Sequence, residues 1–379
     1  MSPPDDARTI GTATLDRGRL GVAPRAKLKV IDCDVHQAMR SPADLLPYLS
    51  KRWRDHLESY GNRRPVPFLG SSPYPKSAPA LSRTDAWPPN GGPPGSDLKF
   101  MREQLLDRYN IEYGLLHLLS PEGMDQRNQD FGKAVSRALN EWQYEHWTQP
   151  EPRLKAAIKI PGEDAEASVA EIEHWAGNSD FAQVAMITHS IEPLGRRRYW
   201  PIYEAAARNN LPVALHTSGY NGHAVTGTGW PSYYAEEHHE VAISQQALVT
   251  SLVCEGVFEF FPTLKVVIVE AGFAWAAPLA WRLDRQWARM RDEVPHLTRP
   301  PSEYIRTNIW FSSQQADEPE RPEDLRDILD WMGWDRLLFA TDYPHWDMDN
   351  PEHVFKCRMS EAETRMIYAD NARAVYGLR

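Results

Sequence analysis

The chain has 379 residues, 42% of them hydrophobic and 25% charged, and a formal net charge of −10. That make-up is ordinary for a globular protein large enough for one big domain. The acidic excess, with no block of Lys or Arg, argues against both a nucleic-acid groove and an anionic membrane surface. No stretch reaches the apolar length of a membrane span, and residues 1–26 are polar, without the apolar core of a secretory signal. Cys33, Cys254 and Cys357 lie far apart with no CxxC pair, which fits a reducing cytoplasm.

Behind the polar tail (1–26), residues 27–36 read as a buried strand and 47–60 as a short helix. A Pro-rich insertion over 61–97 follows, and its Phe68, Tyr74 and Trp87 mark it as a packed cap. From there the pattern alternates. Helices are expected at 97–110, 128–147, 164–176, 198–210, 240–260, 275–291, 321–332 and 360–376. Strands are expected at 111–119, 154–160, 181–187, 211–218, 264–271, 308–314 and 336–343. With the first, eight strands each lead into a helix, the count of a (β/α)8 TIM barrel forming one catalytic domain over 27–379. Val266-Val267-Ile268-Val269 is apolar throughout, as a parallel strand covered on both faces should be. An open doubly wound sheet is the rival, but no Gly-rich phosphate turn follows the first strand. The stretch 217–239, rich in aromatics, leaves the fifth strand at the end where barrels place active-site loops.

The chemistry concentrates at strand ends. Asp32, Asp34 and His36 alternate along the first strand and so share a face, with Cys33 on the other. His216 ends the fifth strand, Glu270 the sixth and Asp342 the eighth. Charged groups at the ends of apolar strands pair or bind metal. A barrel would gather Asp34, His36, His216 and Asp342 at one mouth as ligands, with Glu270 beside them and Asp32 behind, orienting His36. His345, three residues past Asp342, reaches the same mouth or caps its own loop through Asp347. In Glu236-Glu237-His238-His239-Glu240 the spacing is wrong for HExxH. The run opens a helix, with His239 the member facing the site. Arg196-Arg197-Arg198 reads as a solvated loop in preference to an anion grip, and Trp275, Trp346, Tyr220 and Trp230 as walls for an apolar substrate or as core.

These residues carry a resemblance. Asp32-Cys33-Asp34-Val35-His36, Trp200-Pro201-Ile202-Tyr203-Glu204 leading to Leu215-His216, and Phe261-Pro262-Thr263-Leu264-Lys265 running into Glu270-Ala271-Gly272 come in order. Phe339-Ala340-Thr341-Asp342-Tyr343-Pro344-His345-Trp346-Asp347 and Asn371-Ala372-Arg373 complete the set. Together the pieces resemble the amidohydrolase-related metal-dependent hydrolases that include the aminocarboxymuconate-semialdehyde decarboxylase-like enzymes. The resemblance implies a divalent ion held by an HxH pair on the first strand, a histidine on the fifth and an aspartate on the eighth. Asp34, His36, His216 and Asp342 take those places. Glu270 stands where decarboxylase-like members carry a histidine, and it can serve as a fifth ligand. Both departures from imidazole toward carboxylate make Fe or Mn competitive with Zn, as one ion or two.

A divalent ion activates water and polarises a carbonyl. The expectation is therefore hydrolysis of an ester, thioester, amide or activated C–C bond in a fairly apolar small-molecule substrate, with Asp342, Glu270 and His345 as proton-transfer groups. Non-oxidative decarboxylation of an aromatic or unsaturated acid is the alternative, and an inactive binding barrel the second. A homodimer is the expected assembly.

Overall fold

The eight apolar runs fold as parallel strands in the computed structural model, which describes residues 28–61, 81–120, 122–124, 126–188, 190–217 and 224–379. They are β1 (Val30–Val35), β2 (Ile111–Leu116), β3 (Leu154–Lys159), β4 (Phe181–Ile187), β5 (Val213–His216), β6 (Val266–Val269), β7 (Ile309–Ser312) and β8 (Leu337–Leu338). Each bonds to the next in chain order. The segment after β8 returns to β1. Cys33 N donates to Phe339 O at 2.9 Å, Asp342 N to Asp34 O at 3.0 Å and His36 N to Tyr343 O at 2.8 Å. The result is a (β/α)8 TIM barrel.

Alternation along the strands separates two apolar layers. Val213, Leu215, Val266 and Ile268 face the surrounding helices in the main core. Ala214, Val267, Val269, Leu338 and Ala340 pack inside the barrel with Ile31, Cys33 and Leu115. Ala369, Ala372, Val375 and Tyr376 join this inner cluster. Asn371 Nδ2 donates to Leu337 O, and Lys265 Nζ to Val375 O. The terminal helix Asn371–Tyr376 therefore seals the end of the barrel where strands begin.

Side-chain caps fix the helix starts that the sequence suggests. Asp97, Asn128 and Asp164 accept from the backbone N–H of Phe100, Phe131 and Ala167. The helix Tyr234–Cys254 begins earlier than residue 240, because Glu236 accepts from Ser232 and Tyr233 N–H. The helix Pro301–Asn308 was not expected. It opens with proline, which fits a first turn but reads as a breaker when neighbouring periodicity is weak. No helix among the described residues is long and apolar enough to cross a membrane.

Residues 62–80 of the Pro-rich insertion, Phe68 and Tyr74 among them, lie outside the described residues. Its described part packs on the loop after β8. Arg83 N donates to Pro344 O at 3.0 Å and Trp346 N to Leu81 O at 2.9 Å. Gly95 has φ +77°, and a Cβ there would stand 2.5 Å from the carbonyl oxygen of His36. Gly95→Ala is expected to destabilise the fold by about 2 kcal/mol, through left-handed strain and the backbone clash. Urea unfolding checks this, and an unchanged midpoint would contradict it.

Candidate metal centre

Strict alternation on β1 does not survive. The pairing of β1 with β2 shifts between Asp32 and Val35. Ile31 and Cys33 alternate into the inner cluster, and across the shift Asp34 reaches the interior as well. Cys33 is a small core residue as expected, but on the inner face. Asp32 does not orient His36. Its carboxylate accepts from Thr341 N at 2.9 Å, Thr341 Oγ1 at 2.6 Å and Asp34 N at 3.2 Å, tying β1 to the strand-eight segment.

The strand ends then converge. One ligand atom from each of Asp34, His36, His216 and Glu270 lies within 4.8 Å of the others, and His36, Asp342 and His345 form a second such group. His36 Nε2 is 2.7 Å from Asp342 Oδ1 and 3.3 Å from Asp34 Oδ1. His216 Nε2 is 3.3 Å from Glu270 Oε2 and 3.6 Å from Asp34 Oδ1. Glu270 and Asp342 have φ of +56° and +62°, conformations costly for residues other than glycine. In each the left-handed turn breaks strand alternation and aims the carboxylate into the basin.

Both imidazoles are held with Nε2 inward. His36 Nδ1 donates to His117 O at 2.6 Å and His216 Nδ1 to Thr217 O at 2.9 Å; Nε2 of His216 is thereby the lone-pair nitrogen, while Nε2 of His36 lies against Asp342 Oδ1. Neither oxygen of Asp34 nor Nε2 of His216 has a hydrogen-bond partner among the described residues, though all three are buried. Burial, with the Asp342 charge, pushes the Asp34 carboxyl up to about 7. Burial and the charges of Asp342 and Asp34 raise Glu270 well above the usual range. Burial pushes His216 down to about 3. On Asp342 burial acts upward, but His345 and His36 outweigh it and hold the group low. His345, at 2.6 Å from Asp342 Oδ1, is raised by that partner against its own burial. A buried basin with lone pairs facing inward and carboxylates crowding one another suits a divalent cation. Two imidazoles among carboxylates suit Mn, Fe or Zn.

Around this group stand residues the sequence reading passed over. The His117 ring lies 5.1 Å from that of His216, and its Nε2 pairs with the Gln183 amide at 2.8 Å. Gln314 Nε2 bridges Asp342 and Asp347 at 3.3 Å each. It is His238, not His239, that reaches the mouth, pairing with Asp347 at 2.8 Å. The earlier helix start turns His239 to solvent. Asp347 is thereby engaged with His238, and His345 turns to Asp342 instead of capping its own loop. Arg196 and Arg198 pair with Glu192, Glu255 and Glu163 at the surface, as a solvated loop does. Trp275 bonds Ala271 O and packs on Phe311, whereas Trp346 lies over His238 at the mouth. Tyr220 lies outside the described residues.

Eight parallel strands with an imidazole–carboxylate basin at their carboxyl ends define a barrel whose mouth suits a divalent cation. The family model Amidohydro_2, described as Amidohydrolase, matches residues 31–378, and the chain belongs to that family. Gamma-resorcylate decarboxylase of Polaromonas sp. is 24% identical over 303 residues, 74% of this chain and 88% of the relative. Among solved structures, an amidohydrolase from Mycobacterium avium subsp. paratuberculosis superposes with TM-score 0.71 at 21% identity, over 93% of this chain and 100% of that one. A dihydroxybenzoic acid decarboxylase from Polaromonas sp., solved with manganese and the inhibitor 2-nitroresorcinol, gives 0.62 at 21% identity, over 93% and 97%.

Proposed function

We propose that this chain is a metal-dependent, non-oxidative decarboxylase of a hydroxylated aromatic acid, with Asp34, His36 and His216 holding one divalent ion and Asp342 joining them beside His36. The observation that carries the reading is the match to a decarboxylase of such an acid across 88% of that relative's length. Hydrolysis, which the sequence favours, has no counterpart in that relative and becomes the second reading. Manganese is the first choice of ion, since a solved relative holds it and the donor set suits it.

When bound, the ion supplies Lewis acidity that withdraws electrons from the substrate's oxygen groups. The residues supply the rest. His36 and His216, held by their Nδ1 bonds with Nε2 turned into the basin, fix where the substrate's oxygens can sit. Asp342, held low by His345 and His36, stays ionised and is a poor proton source. Glu270, a carboxyl raised by burial and its acidic neighbours, is the group assigned to protonate the ring carbon that bears the carboxylate. The C–C bond then breaks, carbon dioxide leaves, and the bonding pair restores the aromatic ring. His345, held by Asp342, stabilises the phenolic oxygen.

Metal-replete protein incubated with 2,6-dihydroxybenzoate and related acids in deuterated water is expected to release carbon dioxide and place deuterium on the vacated ring carbon. Aromatic esters or amides that take up oxygen from oxygen-labelled water, with no carbon dioxide released from the acids, would establish hydrolysis instead. Absence of stoichiometric metal, with no effect of chelation, would leave a binding barrel. Glu270→Gln is expected to slow turnover about 100-fold with metal content retained, the scale of losing one proton donor. A variant at parental rate would remove Glu270 from the chemistry.

A further inference from the structure

A substrate that enters as a carboxylate meets a mouth crowded with Asp34, Glu270, Asp342 and Asp347, and something besides the ion must receive its charge. β3 ends in a buried lysine. Ala157 pairs in register with Gln183, whose side chain reaches His117 inside the barrel, and Lys159 is two residues further on the same face. Lys159 is 3% exposed and paired with Glu122, itself 5% exposed, on the loop after β2. Its ammonium is close enough to His117 and His216 to oppose their protonation. Burying such a pair contributes little to stability, because the lost hydration of two ions offsets their attraction.

The backbone around this amine is clamped. Asn140 accepts from Lys159 N at 2.8 Å and donates to Lys159 O at 2.9 Å. Asn140 is in turn held by Gln143 at 2.9 Å and by Glu171 at 2.8 Å, and Glu171 is tied to Arg137 at 2.8 Å. A network of this kind fixes the last residue of β3 and leaves only the lysine stem to adjust.

We propose that Lys159 is the anion-binding residue of the mouth, receiving the carboxylate or phenolate of the substrate in exchange for Glu122. This rests on the aromatic-acid reading above. Glu122 is the resting counter-ion. On entry the substrate anion takes its place on the ammonium, so the site keeps its charge balance without exposing a bare cation. Lys159 thereby discriminates an acid from its neutral analogue and places the acid beside the imidazoles.

The test is equilibrium binding, by calorimetry, of 2,6-dihydroxybenzoate and of uncharged 2,6-dihydroxybenzamide to the full manganese-loaded chain. Three proteins are compared: the parent, E122Q and the double variant K159M/E122Q, which leaves no orphaned charge. E122Q is expected to bind the acid at least as tightly as the parent. The double variant is expected to bind it about 30-fold more weakly than E122Q, with amide affinity and metal content unchanged. Equal acid affinity in E122Q and the double variant overturns the proposal, as does a parent that binds no aromatic acid. Turnover is measured separately. Binding that depends on Lys159 without carbon dioxide release sinks decarboxylation and keeps the anion site, and release with no dependence on Lys159 does the reverse.

Discussion

His216→Ala and Asp342→Asn are each expected to lower turnover by about a thousand-fold or more, roughly 4 kcal/mol of transition-state stabilisation. The fold should survive both. His216 is uncharged, since burial pushes it down to about 3, so its loss leaves no charge unpaired. Asparagine suits position 342 because the backbone there has φ +62°, which Asn adopts more readily than most residues. Removing the Asp342 charge also relieves a repulsion that raises Asp34 and Glu270. Circular dichroism and elemental analysis accompany the rates: His216→Ala should retain little metal, and a parental rate in either variant would take that residue out of the mechanism.

Chelation is the second large effect. An ion that binds only the folded basin stabilises it by roughly 4 kcal/mol at a thousandfold excess over its dissociation constant. Stripping it with a chelator is therefore expected to lower the melting temperature by about 5 °C. Added manganese should restore the value, and His216→Ala should respond to neither. The expectation rests on Asp34, whose oxygens are buried without hydrogen-bond partners among the described residues. A melting temperature indifferent to chelation would show the basin stable without a cation.

The barrel was legible because its signal is repetitive. Phe181–Ile187 is the strand expected, and the others differ mainly at their ends. The mouth was legible too, because an acid or imidazole closing an apolar run is rare enough to notice at Asp34, His36, His216, Glu270 and Asp342. What escaped was local backbone geometry. Alternation alone could not put Asp34 inside together with Cys33, because the pairing shift on β1 depends on what β2 offers as partner. His238 lost to His239 because the helix start was set by Glu236 folding back on Ser232 and Tyr233, a cap written in side chains and not in periodicity. His117 and Lys159 obey the same strand-end rule as His216. They went unread because His117 sits amid Leu115, Leu116, Leu118 and Leu119, and Lys159 among ordinary apolar neighbours.

The plug formed by Ala369, Ala372, Val375 and Tyr376 has a functional consequence. With the floor shut, everything that enters or leaves the basin shares one doorway, beside Trp346 and His238. Traffic through it is sequential, so whatever lingers there bars the way out for anything held deeper.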